Sequence, residues 1–256
     1  MFDTFIAPLT NQGVGVAFTD RLGGVSQGSL SSLNLGRSDL DELPNLRANM
    51  ASVRRAAGFT RIAAVHQVHG TNVHLTDGDG RDWSADAWIG DAALGADQLP
   101  VADAIVSTIR GLALMVRVAD CVPVALADQD RGVIACAHAG RVGLLSGVLP
   151  ATVAAMRDLG AQRLTAWVGP HICGACYEVP TQMASEAAAQ IPECASVTSW
   201  KTPAIDLGAG VVAQLKELNV TVHRVDPCTL STPSLFSHRG DGSGAGRQVG
   251  MVWLPN

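Results

Sequence analysis

Apolar residues in this chain fall into two rhythms. Short, nearly continuous runs predict strands at Gly15–Thr19, Ala104–Ser107, Ala113–Ala119, Val122–Ala127, Val133–Ala137, Leu164–Val168, Thr221–Val225 and Val249–Trp253. A three-and-four spacing predicts helices at Pro44–Ala57, through Leu46, Met50, Val53 and Ala57 with Gly58 as the stop, and at Leu207–Leu218 behind an Asp206 N-cap. Helical spacing also covers Leu144–Leu159, where Pro150 has to bend the helix or sit in its first turn, and a short alanine-rich segment covers Gln182–Gln190. The polar, glycine-rich tract Gly78–Pro100 reads as a surface excursion, because the strand pattern resumes at Ala104. Helices and strands alternate along the whole length, and several strands follow one another too closely for helical crossovers. That combination predicts an α/β fold, a layered sandwich with mixed β-sheets flanked by helices, built as one domain over residues 1–256.

Three of the apolar runs end in the same way. Val133-Ile-Ala-Cys-Ala-His138-Ala-Gly140 reads as a buried strand that delivers a histidine to a glycine-permitted turn. Ile62-Ala-Ala-Val-His-Gln-Val-His69-Gly70 does likewise, and Ala113–Cys121 ends on a thiol just before Val122-Pro123. Three strands that each end in a soft or borderline ligand point to a zinc site with an open coordination position, held by His69, Cys121 and His138. His66 competes with His69, but an offset of three puts it on the other face of its strand, so His69 is preferred. Cys136, two residues before His138, shares that residue's face and is read as packing. Asp120 points away from Cys121 and is read either as orienting a ligand or as an ordinary strand-end hydrogen bond.

Composition narrows the function classes. With 47% hydrophobic residues in 256 the chain can bury a sizeable core. A net charge of −5, with only 18 basic residues and no basic run, speaks against nucleic acid as a partner. No apolar span approaches the roughly 18 residues of a membrane helix, since Arg117 and Asp120 break the longest candidate, so no membrane partner is expected either. Met1-Phe-Asp-Thr-Phe-Ile-Ala-Pro8 lacks the pattern of a secretory signal. A cytoplasmic location, with the six cysteines reduced, is therefore the expectation. Cys173-Gly-Ala-Cys176 has redox or metal spacing but no second pair beside it, and reads as two small apolar residues packed near Tyr177. Cys228 has no evident base nearby. In Phe236-Ser-His-Arg239-Gly-Asp-Gly-Ser-Gly-Ala-Gly-Arg247, two arginines on a glycine-rich loop offer guanidinium forks for a phosphate or carboxylate.

Several motifs in order give the chain a specific likeness: Arg21-Leu-Gly-Gly-Val-Ser26, Ser32-Leu-Asn-Leu-Gly36, Gln67-Val-His-Gly70, Ala119-Asp-Cys-Val-Pro-Val124, Ala137-His-Ala-Gly140, Gly169-Pro-His-Ile172 with Tyr177-Glu-Val179, and Phe236-Ser through Gly246-Arg247. Over essentially its full length it resembles the laccase-domain family, whose members are also called polyphenol oxidoreductases, purine nucleoside phosphorylases or peptidoglycan-editing factors. The resemblance implies zinc ligation by His69, Cys121 and His138, and a fold like the catalytic domain of the cytotoxic necrotizing factor toxins. It also marks Arg21 and Asn49, beside Arg239 and Arg247, as substrate-binding candidates. The implied activity is that of a zinc enzyme on purine nucleosides, by phosphorolysis of inosine or adenosine, by adenosine deamination, or by both. Alternatives are a peptidoglycan-precursor-editing amidohydrolase, a copper-dependent polyphenol oxidase, and a non-enzymatic interaction protein with a structural metal. Two histidines and one cysteine make copper the less favoured metal, because four-electron oxygen reduction needs several coppers. The partners implied are small molecules, a nucleoside with phosphate or a cell-wall precursor.

The sequence departs from the family pattern at two places. Where the family continues His-Ala-Gly with Trp-Arg-Gly, this chain has Arg141-Val142-Gly143, so an anion contact made by that arginine is lost or displaced by one position. The family's Asn-Arg pair in the first helix appears here as Asn49-Met50.

Overall fold

A computed structural model describes residues 1–8, 13–36, 40–76 and 99–256. Its strands and helices run in the order β1 (Phe2–Ile6), β2 (Gly15–Thr19), α1 (Leu43–Ala57), β3 (Arg61–Ala64), β4 (Val73–Leu75), β5 (Ala104–Ser107), β6 (Leu112–Val118), β7 (Val122–Asp128) and β8 (Val133–Ala139). There follow α2 (Arg141–Ser146), α3 (Val148–Asp158), β9 (Thr165–Val168), α4 (Thr181–Gln190), β10 (Ala195–Val197), β11 (Pro203–Ile205), α5 (Leu207–Glu217), β12 (Thr221–Arg224), α6 (His238–Asp241) and β13 (Gln248–Trp253). Most of the expected elements are present. The excursion read over Gly78–Pro100 lies, apart from its last two residues, outside the described residues.

Two sheets form the frame, one ordered β1-β2-β13-β6-β3 and the other β12-β9-β7-β8-β5-β4, with β10 and β11 as a separate pair. Both are mixed: β3 with β6, β4 with β5, and β9 with β12 are parallel, and the remaining pairs are antiparallel. The period of two along each strand decides the layering. In β6, Leu112, Leu114 and Val116 join Ile134 and Cys136 of β8 in a core between the sheets, whereas Ala113 and Met115 face α1 through Leu46, Met50 and Val53. In β8, Ala135, Ala137 and Ala139 turn outward onto Leu149, Val153 and Met156 of α3 and Val211 and Leu215 of α5. The result is the expected layered α/β sandwich, with helices outside and two facing sheets within.

Three expectations need correction. The helix read over Leu144–Leu159 is two helices, broken at Gly147, whose φ of 95° lies in the left-handed region. Pro150 then sits in the first turn of α3, where no intrahelical amide bond is required of it. The strand read from Ile62 to His69 stops at Ala64, because the Gln67 side chain takes the place of the next ladder residue. Its Nε2 donates to the Arg117 carbonyl at 2.8 Å and its Oε1 accepts the Arg117 amide at 2.8 Å, which frees the backbone to turn away. Cys121, finally, lies in the turn through which the chain leaves β6 in one sheet and enters β7 in the other, rather than on a strand.

Candidate metal centre and its cleft

Strand register assembles the centre. β8 lies between β7 and β5, with Pro123 opposite His138 and Ala104 opposite Ala137, so Asp103 immediately before β5 sits beside His138. The two residues are joined twice, since the His138 amide donates to the Asp103 carbonyl at 2.7 Å and His138 Nδ1 lies 2.8 Å from Asp103 Oδ1. Asp103 also accepts three successive amides, from Val68 at 3.2 Å, His69 at 2.9 Å and Gly70 at 2.6 Å. One buried carboxylate therefore fixes two of the three expected ligands. It holds His69 at a φ of 61°, and such a left-handed conformation persists in a non-glycine residue only where its surroundings enforce it.

The ligand atoms of His69, Cys121 and His138 lie within 4.8 Å of one another. Cys121 Sγ is 3.7 Å from His69 Nε2, and the two imidazole rings meet edge to face with centroids 4.8 Å apart. A tetrahedral zinc with bonds of about 2.0–2.3 Å separates its ligands by about 3.3–3.8 Å, so the donor set and its spacing fit the ion. Gly140 keeps the space open: a Cβ there would lie 2.6 Å from His69 Cδ2 and 3.1 Å from Cys121 Sγ. His66 is placed apart from this cluster, bridged to Val101 by backbone hydrogen bonds. Cys136 is wholly buried between the sheets, with its Sγ donating to the Gly250 carbonyl at 3.3 Å.

Electrostatics favour the thiolate of Cys121 and the protonated imidazole of His138. Burial pushes the Cys121 thiol up, but hydrogen bonds and charge from His138 and His69 outweigh it and bring the group down to about 6. Burial pulls His138 down, and the Asp103 carboxylate together with Cys121 overcomes this and lifts it to about 9. Asp103 itself is raised by burial and lowered further by His138 and the amides, with a net fall below the ordinary aspartate value. An ionised carboxylate only accepts, so Nδ1 of His138 carries a proton, and a metal bound at Nε2 would displace the second proton that the raised pKa places there.

The centre opens into a cleft of about 560 Å³ lined by His66, Gln67, Arg117, His238 and Arg247 among others. Arg247 packs its stem over Gly36, where no side chain intervenes, and spends one guanidinium nitrogen on the carbonyls of Ala245 and Gly246. Arg239 stands over the Tyr177 ring at 5.1 Å and donates to the Glu178 carbonyl at 2.7 Å. Burial and the charge of Cys121 raise the Tyr177 phenol, and the nearby cations Arg141 and Arg239 partly offset them. Arg21 and Asn49 are elsewhere in the described structure. Arg21 lies over Phe236 and donates to the carbonyls of Ser31 and Ser29, and the buried Asn49 knits Val25, Ser26 and Asn34 together.

One contributor escaped the sequence reading, and another, Asp120, holds more than the single strand-end bond considered for it. Asp103 is an acidic residue inside the apolar run Val101–Val106, and a lone carboxylate there was the available signal. Asp120 holds the C-terminal loop, accepting from Thr229 Oγ1 at 2.6 Å, Ser237 Oγ at 2.7 Å and the Arg239 amide at 2.6 Å. It has a φ of 95°, so the residue before the thiol ligand is also held in a left-handed conformation.

Residues 15–255 match the family described as multi-copper polyphenol oxidoreductase laccase. The chain is 45% identical over 97% of its length, and 97% of the other's, to the purine nucleoside phosphorylase ORF3 of Streptomyces griseus. It is 38% identical, with 96% of each chain covered, to the purine nucleoside phosphorylase Cgl2154/cg2365 of Corynebacterium glutamicum. Among solved structures it resembles Neisseria meningitidis protein NMB0706, with a TM-score of 0.78, 31% identity, and 98% of this chain and 99% of that one covered. The fold is shared with Bacillus licheniformis YfiH at a TM-score of 0.82 and 24% identity, over 94% and 92% of the two chains.

Proposed function

The chain belongs to the multi-copper polyphenol oxidoreductase laccase family, and on that premise we propose that it is a zinc-dependent enzyme cleaving purine nucleosides with phosphate. The observation that carries this reading is the pairing of a three-donor site, His69, Cys121 and His138, with a cleft that also presents Arg247. Relatives named purine nucleoside phosphorylase supply the substrate class. A zinc ion held by the three donors would supply Lewis acidity there. His69 and His138 are held for that task by Asp103, and the Cys121 thiol is brought to a value at which it is a thiolate at pH 7.

Arg247 and Arg239 are assigned to the anion, because guanidinium forks hold phosphate bidentately and neutralise charge that gathers on it. His66 and His238 line the same cleft and can carry a proton to the departing base. Zinc is preferred to copper on the donor set. Beyond the three ligands the described cleft offers only these two histidines, short of what several coppers need.

The test is release of free base from inosine and adenosine by the zinc-replete and the chelated protein, across a range of phosphate concentrations. Base release that requires both metal and phosphate is expected, with ribose 1-phosphate as the second product. Ammonia released from adenosine reports deamination separately. No base from either nucleoside at full zinc occupancy would overturn the reading.

A further inference from the structure

Outside this cleft the chain brings together a second set of soft donors. Cys173 and Cys176 lie on a tight turn in which the amides of Cys176 and Tyr177 both donate to the Cys173 carbonyl, at 3.0 and 2.9 Å. The turn is pressed against the start of α5, where a Cβ at Gly174 would stand 2.7 Å from Cβ of Asp206. Cys228 arrives from a different part of the chain. A parallel bridge between His171 and Cys228, with Thr229 donating to the His171 carbonyl at 3.0 Å, lays the two segments side by side. The Cys173 amide then points at Cys228 Sγ, 3.4 Å away. All three cysteines are half-buried free thiols, and their sulfurs lie within 4.8 Å of one another.

We propose that Cys173, Cys176 and Cys228 form a second metal site, distinct from the His69, Cys121 and His138 centre, that takes a thiophilic d10 cation such as Zn²⁺ through three thiolates. Three sulfurs around one ion at about 2.3 Å stand about 3.8–4.0 Å apart, a separation reached here by small side-chain movement. A disulfide uses two of the three thiols and leaves the third without a role. A cation uses all three and clamps the 171–177 segment to the 226–231 segment. The first segment carries Tyr177, and the second leads through Thr229 into the Asp120 network that holds Arg239. The site is therefore a staple for the segments that place Tyr177 and Arg239, and its filling does not depend on which reaction the cleft performs.

Cd²⁺ is the probe, added to metal-free, fully reduced protein and followed by its thiolate charge-transfer absorption and by metal analysis after desalting. The wild type should bind two equivalents, with an absorption reflecting four thiolates. Cys228→Ser should bind one equivalent and lose most of the absorption, whereas Cys121→Ser should also bind one and keep most of it. The opposite ranking of the two variants, or one equivalent in the wild type, would overturn the assignment. A second measurement needs no variant: alkylation of the wild type with and without Zn²⁺, read by peptide mass. Protection of all three cysteines together supports the site. Unaltered labelling at them refutes it.

Discussion

The carboxylate of Asp103 receives Nδ1 of His138 at 2.8 Å while the carbonyl of the same residue receives the His138 amide at 2.7 Å. Backbone and side chain thus fix the position of the His138 imidazole and keep a proton on its Nδ1. Because the same carboxylate also binds the amides of Val68, His69 and Gly70, it sets the distance between two ligands that are remote in sequence. Asp103→Asn keeps the size but removes the charge and offers an amide where the site needs an acceptor. Loss of such a supporting group costs about 10- to 100-fold in metal affinity. Competition with a chromophoric zinc chelator measures it, and an affinity within twofold of wild type would deny Asp103 this role.

Gly140 tests whether the space at the centre matters. Its φ of −74° suits any residue, so the glycine is not required by backbone conformation. A methyl group there would meet His69 and Cys121, so Gly140→Ala should lower metal occupancy well below one per chain while Tm in the metal-free state stays within a few degrees. Full occupancy in the variant, by metal analysis, would count against the three-ligand geometry.

That His69, Cys121 and His138 are candidate donors was legible because each ends an apolar run, but their assembly was not. Nothing in the pattern of Ala113–Asp128 shows that the chain passes from one sheet to the other at Ala119–Cys121, since both sheets demand buried apolar residues on both faces. His69 was found for a partly wrong reason. The apolar rhythm of Val65 and Val68 continues past the strand, and only the pairing of the Gln67 amide with Arg117 ends the ladder at Ala64. Arg21 and Asn49 show structural work that the motifs did not reveal. Both lie in shaped, motif-rich stretches, and the described structure uses both to hold a loop together.

Asp128 is a stability determinant far from the chemistry. Its carboxylate accepts the amides of Asp130 and Arg131 at 3.1 Å each, and those of Gln162 and Arg163 at 2.6 and 2.8 Å, tying the β7–β8 turn to the entry of β9. Burial raises its pKa and the four amides more than offset this, so the net shift is downward. A depressed folded-state pKa gives stability that is present above the unfolded value of about 3.9 and is lost as pH falls through the folded value. Asp128→Ala should therefore cost about 2–4 kcal/mol at pH 7, and the gap to wild type should close in acid. Urea unfolding at pH 7 and near pH 3 reads both, and a gap that widens in acid would contradict the sign.

Asp120 offers a way to separate metal binding from substrate handling. It touches no ligand imidazole in the described structure, yet it holds Thr229, Ser237 and the Arg239 amide. Asp120→Ala should keep metal stoichiometry and lower kcat/KM about tenfold or more, since hydrogen bonds to a charged acceptor contribute about 1.5–3 kcal/mol. Equal loss of metal and activity would instead tie Asp120 to the centre itself.

The replacement of Trp-Arg by Arg141-Val142 gains a specific reading from the geometry. Val142 is 46% exposed on the second residue of α2 and has no means of holding an anion. Arg141, one position earlier, is near enough to the Tyr177 hydroxyl to lower its pKa, and Arg239 lies over the same ring. Two guanidinium groups thus bear on one tyrosine near Cys121, with a cation at position 141 in place of one at position 142. If that pair serves phosphate, Arg141→Ala removes a charge-assisted contact of about 1.5–3 kcal/mol and should raise the phosphate KM about tenfold or more, with zinc content unchanged. The double change Arg141→Trp with Val142→Arg should return the KM to near the parent value, because it moves the charge by one residue rather than removing it. Inosine cleavage against phosphate concentration, at matched zinc content, decides the matter. A phosphate dependence that is the same in the parent, Arg141→Ala and the double variant would show that neither position holds the anion, and would leave that task to Arg247 on the cleft wall.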